Sequence, residues 1–357
     1  MYSMKTLRHF VVKKTYWVLL LMVLLALFLR WLYLPKNAVS FAYDQARDAF
    51  IVQQMLHGNL KVLGPPVSGV PGLFHGVLYY YMIAPAYFLG HGNPIFVAYF
   101  QSFIASLVVF AVYFLGYLLT KNRASALLSA LFFAFSFEAT QYANLLVNVT
   151  MGVWFVPVFY IGLYLWITKS WKYAPILTGL SFGLAIQSEV ALVYHAIPLA
   201  FWIVAFRSKI DRNQIFFFLI SFILSVSSMI VSEIKFGFSG IKGAGYILSG
   251  SDQIVQSRNL SDYVVTILNQ SAKTFAYTIF PLNVVFGGLL GFLITYFSLK
   301  TKEFWAKFLS TYIFAYALAI PFGGGIAFTV GAAGFAFTDG IGRPTQGWIS
   351  TFIGRRR

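Results

Sequence analysis

Residues 16–34 read YWVLLLMVLLALFLRWLYL, an almost wholly apolar run of 19 residues. A run of about 18 or more apolar residues is long enough to cross the hydrocarbon core of a membrane as a helix. Lys5, Arg8, Lys13 and Lys14 precede the run as in a signal peptide, but no small-residue cleavage site follows it. The sequence therefore predicts an uncleaved first transmembrane helix with a cytoplasmic N-terminus.

The rest of the chain has the same apolar character. Of its 357 residues 59% are hydrophobic and only 10% are charged, whereas a soluble domain carries about 25% charged residues. There is no cysteine, so disulfides and thiolate metal sites are excluded. The formal net charge of +16 would suit nucleic acid, but the basic residues lie in short loops between apolar runs. This placement predicts basic cytoplasmic loops beside anionic lipid and excludes a nucleic-acid partner.

Repeated apolar runs predict an all-α polytopic membrane protein with about nine or ten spanning helices. The nine predicted spans are 15–34, 95–119, 124–138, 150–168, 173–188, 190–206, 214–232, 275–298 and 304–322. A weaker tenth segment, 324–338, is rich in Gly and Ala. We assign 1–322 to one transmembrane domain and 323–357 to an atypical C-terminal end, which fits a short variant, a truncated product or an altered reading frame near residue 320.

One apolar segment, 76–90, is only 15 residues long and contains Pro85. Four basic clusters orient the chain: Lys121/Arg123, Lys169/Lys172, Arg207/Lys209/Arg212 and Lys300/Lys302/Lys307. All four face the cytoplasm only if 76–90 does not span. We therefore predict that 76–90 is an amphipathic helix along the outer interface, which makes 35–94 and 233–274 two large outer loops. The predicted location is the plasma (inner) membrane, with any active site on the extracytoplasmic side.

The first outer loop contains charged residues at helical spacing. Asp44, Arg47 and Asp48 fall at i, i+3 and i+4, on one face of a helix. The apolar face of this helix is predicted to be Phe50, Ile51, Met55 and Leu56. One interpretation is structural, with Asp44 as the N-cap and a local ion pair. The other is a general base held beside an anion-binding guanidinium.

A Pro- and Gly-rich turn region follows and leads to His75 at the start of segment 76–90. A histidine at the start of a helix either caps and packs or takes part in ligand binding, and the residues alone leave both readings open.

The first helix, the outer-loop helix with Asp44, Arg47 and Asp48, and the short aromatic helix after His75 follow one another in this order. In that order and in their predicted outer location, they resemble the protein O-mannosyltransferase and aminoarabinose transferase superfamily. Its members are family 39 glycosyltransferases with the GT-C fold, which use polyprenyl-phosphate sugars. The resemblance covers roughly residues 15–240, and its best-matched stretches are FAYDQARDAF (41–50) and GLFHGVLYYY (72–81). It implies a GT-C-like bundle with juxtamembrane helices in the first outer loop.

The resemblance also implies site roles. Asp44 corresponds to the family's catalytic base and Arg47 to a residue that binds the donor phosphate. His75 opens the element that is His-Pro-Pro or Lys-Pro in the family, although the prolines are missing here. The implied reaction is inverting sugar transfer from a polyprenyl-phosphate donor to a lipid, glycan or protein acceptor of the cell envelope. Metal ligands of some relatives are not evident, but a carboxylate-rich outer cleft would hold a divalent cation weakly.

Other polar residues lie at the predicted outer ends of the spans. Glu138 and Asn148 either line a sugar pocket or cap the interface, and Asp48 is a candidate second acid. Glu233 and Lys235 either bind the phosphate or acceptor, or are the first polar residues outside the bilayer. The segment Gln187-Ser188-Glu189 is predicted to be an outer turn, and His195 a packing histidine.

Two further functional classes remain open. A transporter or lipid flippase would place charges at mid-bilayer and show an inverted internal repeat. An inactive membrane subunit would fit the atypical C-terminal end.

Overall fold

A computed structural model describes residues 13–67, 72–169, 171–248, 260–278 and 283–319. Its regular elements are helical, as the sequence predicts. The α-helices are α1 (Lys13–Trp31), α2 (Tyr43–Leu56), α3 (Leu78–Leu89), α4 (Pro94–Thr120), α5 (Arg123–Phe135), α6 (Phe137–Asn144), α7 (Gly152–Lys169), α8 (Ala174–Ser188), α9 (Ala196–Ala205), α10 (Arg212–Ser225), α11 (Ser227–Lys235), α12 (Ser239–Leu248), α13 (Leu260–Thr278), α14 (Val284–Lys300) and α15 (Phe304–Ala319). The weak segment 324–338 and the C-terminal end 323–357 lie outside the described residues.

Three helical segments are long and apolar enough to cross a membrane, namely Thr15–Lys36, Pro94–Thr120 and Asn148–Lys169. The pair α10 and α11 adds a fourth if it is one span broken by a bend of 59°. Shorter apolar helices include α5, α8 and α14. The helical, membrane-compatible character is thus confirmed, while the count of nine or ten spans stays a prediction.

Side-chain caps explain where several of these helices begin. Asn93 Oδ1 accepts a hydrogen bond from the N–H of Ile95 at 3.0 Å, and Pro94 follows at the first helical position of α4. Asn122 Oδ1 does the same for the N–H of Ala124 at 2.8 Å at the start of α5. The resulting tight turn carries a basic cluster of the sequence, and α4 and α5 pack against each other.

Two predictions about the C-terminal half stay predictions, namely the span 275–298 and the outer loop 233–274. Helix α13 ends at Thr278 and α14 begins at Val284, and residues 279–282 lie outside the described part of the chain. Asn283 starts the second helix, since its Oδ1 accepts from the N–H of Val285 at 2.8 Å. The predicted outer loop 233–274 also contains helical residues of α12 and α13.

Burial separates a central helix from peripheral ones. In the apolar 18-residue stretch of Asn148–Lys169, 83% is buried, whereas in that of Thr15–Lys36 only 28% is buried. The outward face of α1 presents large apolar side chains such as Leu21 and Phe28. Exposed apolar surface of this kind suits lipid rather than water.

The two short helices of the first predicted outer loop pack together. Helix α3 contacts α2, α4 and α8. Its 12 residues extend about 18 Å, well short of the roughly 30 Å hydrocarbon core. The predicted short helix at 76–90 is thus confirmed, and its position along the outer interface stays a prediction.

Candidate functional site

Helix α2 presents its acidic residues differently from the sequence prediction. Its N-cap is Ala42, so the prediction of Asp44 as N-cap is wrong; Asp44 lies within the first turn. The N–H of Ala42 donates instead to Gln45 Oε1 at 2.9 Å. An acid in the first turn still favours the positive end of the helix dipole.

The buried face of α2 is formed by Gln45, Asp48, Ala49, Val52 and Met55. Of the predicted apolar face, Met55 is buried, but Phe50 and Leu56 are exposed. Ile51 is partly buried and packs against the core, so half of the predicted apolar face is packed inside. Helix α2 also turns a charged residue, Asp48, toward Tyr80 of α3.

Arg47 lies between the two aspartates, as the spacing predicts. Its Nη1 is 2.6 Å from Asp44 Oδ1, and its Nε and Nη2 are 2.9 Å and 2.8 Å from Asp48 Oδ1. The Asp44 side chain is 55% exposed, whereas that of Asp48 is 3% exposed. One acid is therefore accessible from outside, and the other anchors the guanidinium from within.

Asp48 is a carboxyl group in a dry environment. Its Oδ1 also accepts the O–H of Tyr80 at 3.2 Å, and its Oδ2 has no hydrogen-bond partner among the described residues. Burial raises the pKa of Asp48 to about 6, although the charge and hydrogen bonds of Arg47 and the Tyr80 hydroxyl oppose the shift. Asp48 therefore titrates near neutrality, as acid–base groups of active sites often do.

His75 lies at the entrance to α3 and is 7% exposed. Its Nδ1 accepts the N–H of Val190 at 3.3 Å and lies 3.8 Å from Glu189 Oε1. Burial lowers the pKa of His75, Glu189 opposes this, and the positive charge of Arg47 lowers it further. The ring is therefore neutral near pH 7, with its proton on Nε2, and it lies within the electrostatic reach of the acid cluster.

The C-terminal end of α8 gathers the loop residues around His75. The N–H of Gly76 donates to the carbonyl of Gln187 at 2.8 Å, and the N–H of Leu78 donates to Gln187 Oε1 at 3.3 Å. Asn148 Nδ2 donates to the carbonyl of Ser188 at 2.5 Å. The segment predicted to be an outer turn thus ends α8. It is hydrogen-bonded both to the loop that carries His75 and to the side chain of Asn148.

The remaining candidates lie elsewhere. Glu138 is fully buried in the first turn of α6. Glu233 accepts the N–H groups of Gly240 at 3.1 Å and Ile241 at 3.2 Å, so its carboxylate caps α12. Lys235 is exposed, with its Nζ 5.6 Å from the centre of the Phe236 ring. Among the residues that the structure describes, Glu233 and Lys235 make no ion pair with the cluster on α2.

Sequence reasoning missed two members of this region. Tyr80 is one of three consecutive tyrosines, and nothing local marks it as the partner of Asp48. Glu189 is near His75 only because α8 packs against α3, 114 residues later in the chain. Only the close approach at Gly76 left a signal, since a Cβ there would overlap the Gln187 side chain.

A divalent cation does not fit the acid cluster. Asp44 and Asp48 both face Arg47, whose positive charge occupies the space between the two carboxylates. In the part of the chain that the structure describes, no three His, Asp or Glu side chains converge as metal ligands.

No family model matches the chain, and no curated protein sequence matches it either.

Proposed function

We propose that this chain is an inverting membrane glycosyltransferase that takes a sugar from a polyprenyl-phosphate donor on the extracytoplasmic side. The observation that carries the proposal is the exposed carboxylate of Asp44, held 2.6 Å from the guanidinium of Arg47 on a short helix between predicted spans. This pairing puts a proton acceptor beside an anion-binding group.

Asp44 is the proposed general base. Its carboxylate takes the proton of an acceptor hydroxyl or amine, whose oxygen or nitrogen forms the new bond to the anomeric carbon. The bond from that carbon to the phosphate oxygen breaks at the same time on the opposite face, and its electron pair leaves with the polyprenyl phosphate. A reaction of this kind depends on positioning and on stabilising the leaving charge.

Arg47 is the proposed group for that charge. A guanidinium has five N–H groups, and its three contacts with the carboxylates leave two for a phosphate. Asp48 fixes the Nε edge and so sets the direction of the free N–H groups. His75 adds an Nε2–H donor, while its Nδ1 is occupied by the N–H of Val190.

The proposal is tested with the purified full chain in nanodiscs and a panel of polyprenyl-phosphate hexoses and pentoses. Release of polyprenyl phosphate is the readout. We expect Asp44→Asn to lower the rate by at least about a hundredfold, the usual contribution of a general base. The control is Glu303→Gln, since Glu303 is an exposed acid far along the chain at the start of α15.

The proposal fails if Asp44→Asn retains full activity, or if wild-type protein releases no polyprenyl phosphate from any donor of the panel. Thermal unfolding of both variants shows whether a loss of activity reflects a loss of fold.

A transporter or flippase is the second candidate, and the bent pair α10–α11 favours it. Broken helices at membrane depth are common at substrate sites of transporters. If this function is correct, the chain reconstituted in proteoliposomes would move a polyprenyl-phosphate sugar across the bilayer without cleaving it.

A further inference from the structure

Lys121 follows α4 with a backbone conformation that is unusual for a lysine. Its φ is 57°, in the left-handed region that glycine or asparagine normally occupies after a helix. Residues held in this region often belong to binding sites. A lysine at this turn is therefore better explained by its side chain than by its backbone.

The charged end of that side chain lies over α7 and stays accessible. Its Nζ is 5.3 Å from the centre of the buried Tyr164 ring and donates to the carbonyl of Leu118. An ammonium group has three N–H donors, so this hydrogen bond leaves two for a ligand. Because Lys121 is exposed, a ligand can reach them from outside the bundle.

A second cation acts on Lys121. Lys169 is the last residue of α7 and is also exposed. Partial burial, together with the positive charge of Lys169, lowers the pKa of Lys121 to about 8. Two positive charges that interact repel each other, and an anion bound to both offsets the repulsion. The pair therefore favours a ligand with negative charge.

Aromatic contacts bring two other basic clusters to the same end of the bundle. The Tyr164 ring contacts that of Phe304, and Phe304 contacts Phe206, with ring centres 6.1 Å and 5.9 Å apart. Phe206 directly precedes the basic segment 207–212, and Phe304 lies within the basic segment 300–307. This end of the bundle, which the distribution of basic residues predicts to face the cytoplasm, is therefore rich in positive charge.

The acids at this end do not neutralise Lys121. Asp211 Oδ1 accepts the N–H of Gln214 at 2.7 Å and so caps α10, and Glu303 lies just before α15. In the part of the chain that the structure describes, no ion pair involves Lys121, Asp211 or Glu303. An anion that binds Lys121 therefore has no acidic side chain to displace there.

The surroundings favour a lipid as the source of that anion. Helix α4 has 27 residues and is about 40 Å long, so its end lies beyond a hydrocarbon core of roughly 30 Å, at the level of the head groups. Trp171 and Tyr173, just after Lys169, are exposed aromatic side chains, which are typical of the same level. Basic residues between helices at this depth bind head groups that carry several negative charges.

We infer that Lys121 and Lys169 form a binding site for an anionic lipid whose head group carries two phosphate groups, at the ends of α4 and α7. Each ammonium pairs with one phosphate through charge-assisted hydrogen bonds. A head group with a single phosphate would leave one of the two positive charges uncompensated. The site lies at the other end of α4 from the start that follows α3, and it does not depend on the proposed sugar transfer.

The test uses the full chain in detergent after delipidation, with cardiolipin as the two-phosphate probe and native mass spectrometry to count bound lipid. We expect Lys121→Asn to lower the bound fraction at least about threefold, because it removes one of the two charge-assisted contacts. Asparagine tolerates the left-handed backbone, so the turn is kept.

The matched control is Lys302→Asn, which removes an exposed lysine at the same end of the bundle. It should leave cardiolipin binding within the error of the wild type. Equal binding by Lys121→Asn and wild type, or an equal loss in both variants, overturns the inference.

A second measurement needs only the wild-type protein. Cardiolipin should raise the Tm more than phosphatidylglycerol at twice the molar amount, which supplies the same number of phosphates on separate molecules. Equal shifts would reduce the site to a general attraction to anionic lipid and overturn the inference. A rise with inorganic pyrophosphate as large as that with cardiolipin would make the ligand a soluble diphosphate and would overturn the lipid assignment.

Discussion

Asp48 accepts the phenolic hydrogen of Tyr80 across 3.2 Å, on the same carboxylate oxygen that contacts Arg47. The other oxygen of Asp48 has no partner within the described residues. A carboxylate that is satisfied on one side only is costly to ionise, and burial raises the pKa of Asp48 to about 6.

Asp48→Asn should therefore change how stability depends on pH. Because the folded-state pKa of about 6 exceeds the ordinary 3.8, the folded protein binds more protons than the unfolded chain between these values. The contribution of Asp48 to the free energy of unfolding thus falls as pH rises from about 4 to about 6, by roughly 3 kcal/mol in total. We expect Asp48→Asn to gain stability relative to wild type over this window, measured as the difference in Tm.

Tyr80→Phe is the matched variant for this prediction. The Tyr80 hydroxyl favours the ionised form of Asp48, so its removal should raise the pKa of Asp48 and move the transition to higher pH. A Tm difference between wild type and Asp48→Asn that stays constant from pH 4 to pH 7 would contradict the assignment.

The spacing in the sequence was enough to predict that Asp44, Arg47 and Asp48 meet, because residues three and four apart share a helix face. It could not predict which acid is buried. That depends on how α2 rotates against α3, which the apolar residues of α2 do not determine. Asp48 is buried because Arg47 and Tyr80 together compensate its charge, and only the folded chain brings Tyr80 there.

Contacts between residues far apart in the chain could not be predicted from the sequence, for a related reason. Apolar periodicity locates helices but does not say which loops meet. The contact between His75 and the end of α8 could therefore not be predicted, although Gly76 marks a close approach there. The start of α14 was different, since Asn283 in the sequence is a readable start signal and is the N-cap of that helix.

Gly183→Val should destabilise the contact between α8 and α10. A Cβ at Gly183 would overlap Ser225 Oγ, and one at Gly179 would overlap Ser221 Oγ. These small residues, four apart on both helices, let the backbones approach closely. We expect a loss of about 3 kcal/mol from overpacking, measured as a lower Tm in detergent.

Gly245→Val is the control for this change. Gly245 is also helical, and a Cβ there would meet no atom within 4 Å. Its effect should stay below about 0.5 kcal/mol, the difference in helix propensity between the two residues. Equal destabilisation by the two variants would remove the packing explanation.

Arg47→Lys tests the proposed phosphate site. A lysine keeps the positive charge but lacks the planar guanidinium fork. Its ammonium group therefore cannot contact both aspartates and a phosphate at the same time. We expect kcat/KM for the polyprenyl-phosphate donor to fall at least about tenfold, mainly through a higher KM. Arg212→Lys, at the exposed start of α10, should leave both constants unchanged. A fall in kcat alone would argue that Arg47 does not bind the donor phosphate in the ground state.

His75→Asn gives the opposite pH signature to Asp48→Asn. Asparagine can keep an acceptor for the N–H of Val190, which His75 Nδ1 accepts at 3.3 Å, but it does not titrate. Because burial lowers the pKa of His75 below its ordinary 6.5, the unfolded chain binds more protons as the medium becomes acidic. The contribution of His75 to the free energy of unfolding is therefore fully present above pH 6.5 and is lost as pH falls below it.

We expect the Tm of wild type minus that of His75→Asn to rise from pH 5 to about 6.5 and then level off. The control for the substitution itself is His91→Asn, at an exposed position whose φ of 50° asparagine tolerates. A difference that falls with pH would mean that the buried ring is held as the cation, which would reverse its proposed role as a neutral donor.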